Sequence, residues 1–147
     1  METRIKMGVA DPGSYKAMLA MDNYIITTSI SKLHQEFIKI RASQINGCAY
    51  CVHSHTNDAR KLGETDERMH LISVWKEAGD VFTEQEKLLF AITEEVTLIH
   101  QHGLSKNLYE KSIELFGEQQ TAQIIMAIIN INGWNRIGVA LSMHPQL

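Results

Sequence analysis

Along this chain the apolar side chains recur at intervals of three and four residues rather than alternating, and only two prolines and nine glycines interrupt them. That periodicity predicts an all-α fold. After the turn signature Asp11-Pro12-Gly13, the residues Tyr15, Met18, Leu19, Asp22, Ile25 and Ile26 trace a first amphipathic helix that fades near Thr27-Thr28-Ser29. A second runs from about Lys32 to Ile45, with Leu33, Phe37, Ile40 and Ile45 facing inward, and Asn46-Gly47 interrupts it. A third starts at about Cys48 and stops at Gly63, a usual C-terminal glycine.

Further on, Thr65 or Asp66 can cap a short helix carrying Met69, Leu71, Ile72 and Trp75, which ends around Gly79-Asp80. Thr83 followed by Glu86 is a capping box, and Leu88, Leu89, Ile92, Val96 and Ile99 make a fifth helix up to Gly103. Ser105 is expected to cap a sixth ending at Gly117. The last helix, from about Glu118 to Ser142, is apolar around most of its circumference (Ile124, Ile125, Met126, Ala127, Ile128, Ile129, Ile131), so it belongs either to the centre of the core or to a subunit interface. Pro145 lies beyond it as a stop. With no internal repeat, low-complexity segment or linker, residues 1–147 are expected to form one helical bundle domain of about six to seven helices.

A chain of 147 residues is long enough to bury a substantial core without covalent staples, so its two cysteines are not needed for stability. No segment approaches the roughly 18 apolar residues of a membrane span, and no apolar run follows the charged start Met1-Glu2-Thr3-Arg4-Ile5-Lys6. The expectation is a soluble, cytoplasmic protein that does not engage a membrane. A formal charge of -3 and no cluster of Lys and Arg argue against nucleic acid as partner.

Those two cysteines carry the chemistry. Cys48-Ala49-Tyr50-Cys51-Val52-His53-Ser54-His55 places Cys48, Cys51 and His55 at spacings of three and four, in one row along a helix. A vicinal dithiol beside an imidazole can cycle between thiolate and disulfide. Cys48 falls in the first helical turn, where free N–H groups and the macrodipole favour an anion, whereas Cys51 has His55 as its four-residue neighbour. From spacing alone either sulfur can be the attacking one. Glu36 sits on or beside the apolar stripe of the preceding helix, between Leu33 and Ile40, where a carboxyl holds its proton more tightly unless something pairs with it. Folding back at Asn46-Gly47 would bring it towards Cys51 and His55. His53 projects away from the row, and His34, His70, His100, His102 and His144 show no partner spacing.

The string from Glu36 through Ile40-Arg41-Ala42-Ser43-Gln44-Ile45-Asn46-Gly47 to Cys48-x-x-Cys51-x-x-x-His55 resembles the AhpD-like alkylhydroperoxidase branch of the carboxymuconolactone decarboxylase family. Asn130-Ile131-Asn132-Gly133-Trp134-Asn135-Arg136 is similar to what that branch carries on its last long helix. The resemblance implies an all-helical fold assembling into dimers, trimers or hexamers, and a thiol-dependent peroxidase needing no cofactor or metal. It implies Cys51 as the peroxide-attacking thiolate, Cys48 as the resolving thiol, His55 as the acceptor of the Cys51 proton and Glu36 as its relay partner. A dithiol donor, in the family a lipoyl-type protein, would reset the enzyme. Tyr50 departs from the pattern, since the best-characterised AhpD proteins have histidine there, and a phenol is a poor base at neutral pH. The lactone-decarboxylating branch generally lacks the dithiol.

Two rival readings remain for the same residues. Cys48, Cys51 and His55 could hold zinc, with Glu36 or His53 recruited as a fourth ligand, although ligands strung along one helix make a closed tetrahedral site awkward. Alternatively the protein is a redox-sensing or ligand-binding oligomer without catalysis.

Overall fold

The computed structural model describes residues 4–146, all-helical among those residues, with no strand. Its elements are α1 (Met7–Ala10), α2 (Pro12–Ile26), α3 (Lys32–Asn46), α4 (Ala49–Lys61), α5 (Asp66–Leu71), α6 (Glu84–Thr97), α7 (Ile99–His102) and α8 (Lys106–Ala140). The expected helical bundle is therefore observed. Among the described residues no helix is long and apolar enough to cross a membrane.

The helix starts follow their side chains. Asp11 accepts from the N–H groups of Gly13 and Ser14 at the head of α2, Ser31 from His34 at α3, and Thr65, rather than Asp66, from Arg68 at α5. At α6 the capping box is complete, Thr83 and Glu86 satisfying each other's backbone N–H. Ser105 departs from expectation: it makes no side-chain cap, and its own N–H donates to Glu95 Oε2 at 2.6 Å.

Three segments differ from the periodicity reading. The short helix loses α geometry after Leu71 and continues as 3-10 turns over Ile72–Glu77 and Gly79–Val81, kinked at Val74. The fifth helix breaks at Leu98, leaving α7 as one separate turn. Met7–Ala10 forms a turn that the apolar spacing did not mark. The break expected at Gly117 is present inside α8, where φ is 75°.

α3 packs against α4, α6 and α8, and its buried residues Phe37, Ile38, Ile40 and Ala42 meet Leu89, Phe90 and Ile92 of α6 and Ile124, Ile128 and Ile131 of α8 in the core. The last stretch of α8 is thus central, although Ile129 stays exposed. α2 behaves differently. Only Ile25 of its apolar stripe is buried, while Tyr15, Leu19 and Ile26 remain exposed and line a cavity against α8.

Candidate active site

Gly47 makes the turn that builds the site. It ends α3 with φ 67°, a conformation that costs a side-chain-bearing residue about 1–2 kcal/mol. Its N–H reaches back to Gln44 and Ser43, the next N–H, that of Cys48, donates to the Ser43 carbonyl at 3.0 Å, and α4 returns along α3. Asn46 locks the turn onto α8 by donating through Nδ2 to Asn132 Oδ1 and Asn135 Oδ1, each at 2.9 Å. Asn135 in turn donates to Ser43 Oγ at 2.9 Å, and Asn132 to Thr97 Oγ1 at 3.0 Å. Buried amides satisfied by one another specify a single arrangement.

Cys48 is the N-cap of α4, with Sγ accepting from the Cys51 N–H at 3.3 Å, and the two cysteines are joined in a disulfide. Both are buried, but only Cys51 reaches a cavity wall. Cys51 lines a cavity of about 950 Å³ together with His55, Tyr50, Lys39 and the apolar residues of α2 and α8, whereas Cys48 is not part of that wall. Gly138 of α8, itself on the cavity wall, lies against both sulfurs: a Cβ there would stand 3.0 Å from Cys48 Sγ and 3.6 Å from Cys51 Sγ, a tighter approach to Cys48 than side chains ordinarily make.

One turn along α4, His55 Nδ1 lies 2.8 Å from Glu36 Oε2, and Lys39 Nζ donates to Glu36 Oε1 at 2.7 Å. An ionised carboxylate only accepts, so Nδ1 carries the hydrogen, and in the neutral ring Nε2 is left as the basic nitrogen. Burial pushes the Glu36 carboxyl up, but the hydrogen bond and charge of His55 together with Lys39 outweigh it, and the net result lies below the ordinary carboxylate value. The tightly held proton expected of an unpaired carboxyl is therefore not found, because Glu36 is paired twice.

The structure thus joins Glu36 directly to His55, sets Cys51 and His55 on one cavity wall, and bonds Cys48, which is not part of that wall, to Cys51. His53 stands apart, bonded to Asn57. Trp75 packs on Phe90 and donates to Glu94. His34 stacks on Phe37, away from the thiols. Lys39 went unnoticed in the sequence, and Asp22 was read only as a member of the first helix's stripe. Lys39 carried a signal, being three residues after Glu36 on the same helix face. Asp22 carried none beyond interrupting an apolar stripe: it accepts from Asn130 Nδ2 at 2.6 Å and Trp134 Nε1 at 3.0 Å, fastening α2 to α8.

For a metal at Cys48, Cys51 and His55, both sulfurs would have to be thiolates, and here they are bonded to each other. Among the described residues the grouped metal-capable side chains are instead Glu36, His55 and Asp58. Lys39 and Lys61 already pair with two of these three.

Residues 12–95, which hold the Glu36, Cys48, Cys51 and His55 constellation, match the carboxymuconolactone decarboxylase family. The chain belongs to that family. It is similar to the uncharacterized protein YdfG of Bacillus subtilis (strain 168), with 38% identity over 141 residues covering 96% of this chain and 95% of that protein. It also resembles a crystal structure from Agrobacterium tumefaciens, a protein of unknown function provisionally assigned to antioxidant defence as AhpD. There the TM-score is 0.95 and the identity 37%, over 99% of this chain and 100% of the other. An AhpD-core, peroxidase-related protein of Ralstonia eutropha JMP134 shares the fold at a TM-score of 0.80 with 19% identity, over 95% of this chain and 74% of that one.

Proposed function

We propose that the protein is a thiol-dependent peroxidase of the AhpD-like type, reducing hydroperoxides through Cys48 and Cys51. The observation that carries this reading is the hydrogen bond from Glu36 to His55, with His55 and Cys51 on the same cavity wall and Cys48 within disulfide reach of Cys51. Family membership and the similarity to the Agrobacterium tumefaciens protein support it.

In the reduced state, His55 Nε2 takes the proton of Cys51, and Glu36 holds the ring in the correct tautomer and stabilises the imidazolium. The Cys51 thiolate attacks the terminal peroxide oxygen. An S–O bond forms and the O–O bond breaks, giving a sulfenic acid and an alkoxide that takes the proton back as the alcohol. The Cys48 thiol then condenses with the sulfenic acid, releasing water and forming the disulfide. Being at the N-terminus of α4, Cys48 is favoured as a thiolate by the helix dipole and the Cys51 N–H. An external dithiol, of the lipoyl type by analogy with the family, returns the disulfide to two thiols. We place the enzyme in the cytoplasm as a homo-oligomer, and assign it neither cofactor nor metal.

Thiol counting tests the reading. One equivalent of cumene hydroperoxide should remove both thiols per chain, and dihydrolipoamide should restore them and sustain turnover. Thiols that survive peroxide would refute it.

A further inference from the structure

Glu36 is shared. One carboxylate oxygen holds His55 and the other holds Lys39, whose ammonium has a single partner among the described residues although it carries three donors. Lys39 is largely buried yet lines the same cavity as Cys51 and His55. Most of that cavity's wall is apolar, with Leu19, Ile25, Ile131 and Ile137 among its residues.

Such a wall creates a need. When the Cys51 thiolate attacks a hydroperoxide, negative charge passes from sulfur to the departing oxygen, and an alkoxide facing hydrocarbon lacks the hydration it has in water. Once His55 has taken the thiol proton, the charges of Glu36, His55, Lys39 and the thiolate sum to zero. Attack moves the negative charge within that neutral set, and a fixed cation beside the departing oxygen lowers the barrier. The reaction itself stays balanced: thiol and hydroperoxide give sulfenic acid and alcohol, sulfur being oxidised and the peroxide reduced, with the thiol proton reaching the alkoxide through His55.

We propose that Lys39 is a catalytic residue of this peroxide step: held at the cavity wall by Glu36, its ammonium donates a hydrogen bond to the oxygen that leaves. This inference rests on the peroxidase reading given above. Lys39 is thereby distinguished from a residue that only steadies Glu36, because a steadying residue would act through His55 on the thiolate itself.

Two reactions of the pre-reduced protein separate these roles. Cumene hydroperoxide requires a charged oxygen to leave, whereas alkylation of Cys51 by iodoacetamide expels iodide and reports thiolate reactivity alone. In Lys39→Met the rate with cumene hydroperoxide should fall about 10²-fold or more, far beyond any fall in the alkylation rate; Lys39→Arg, which keeps a cationic donor, should recover part of the peroxide rate. Equal falls in both reactions, or no fall in either, would overturn the assignment while leaving the peroxidase reading intact. An unsubstituted protein that alkylates normally but does not react with the hydroperoxide would overturn both.

Discussion

Glu36 Oε2 and His55 Nδ1 lie 2.8 Å apart although 19 residues separate them in sequence. Because the carboxylate can only accept, it fixes which ring nitrogen is free to act as base. Glu36→Gln tests this directly. The amide can donate to Nδ1 and so favour the opposite tautomer, with hydrogen on Nε2. The rate of sulfenic acid formation should drop by about 10²-fold to 10⁴-fold, while circular dichroism and the disulfide content of the oxidised protein stay as they are. A rate unchanged in stopped-flow measurements would remove Glu36 from the mechanism.

The turn that presents the cysteines depends on Asn46. Asn46→Ala leaves the buried Asn135 Oδ1 without its donor, at a cost of about 1–3 kcal/mol. Chemical denaturation should show that loss. The dithiol should also oxidise more slowly, because the Cys48 turn is no longer tied to α8.

Gly138 offers a test of the packing around the sulfurs. In Gly138→Ala the added methyl would stand 3.0 Å from Cys48 Sγ, and overpacking of this kind costs about 1–3 kcal/mol. The melting temperature of the oxidised protein should fall by several degrees. A variant as stable as the parent in its oxidised form would show that the sulfurs have more room than the close approach implies.

Three paired carboxyls, two buried and one half-buried, give the fold an acid limit. In Glu36, Glu86 and Glu94, burial pushes the carboxyl up, but hydrogen bonds and nearby cations (His55 and Lys39; Arg68; Lys76, Arg41 and the Trp75 N–H) bring each below its ordinary value. A carboxyl with a lower pKa in the folded state contributes stability that is fully present above the unfolded value of about 4.3 and is lost as pH falls through the folded value. Melting temperature should therefore decline below that pH, and Glu94→Gln, although less stable at neutral pH, should decline less steeply.

Much of this was legible in the sequence because it is local. The capping box at Thr83 and Glu86, the Gly47 stop and the Gly117 break each depend on a few neighbouring residues, and the spacing of Cys48, Cys51 and His55 is itself a helical distance. What was hidden is tertiary. That α2 turns most of its apolar stripe to a cavity rather than the core depends on Asp22 meeting Asn130 and Trp134, more than 100 residues away. The close approach of Gly138 to the sulfurs likewise needs α8 in place. Glu36 is intermediate: its position on the stripe was visible, but pairing with His55, reinforced by Lys39, inverted the expected direction of its proton affinity.

The assignment of the two sulfurs rests on Cys51 lining the cavity, of whose wall Cys48 is not part. Cys48→Ser, reduced and given one equivalent of cumene hydroperoxide in the presence of dimedone, should be found by mass spectrometry to carry a single adduct at Cys51, formed in one turnover. Cys51→Ser treated identically should carry none. An adduct on Cys48 in the second variant with none on Cys51 in the first would reverse the roles, and the absence of any adduct in both would contradict the peroxidase account.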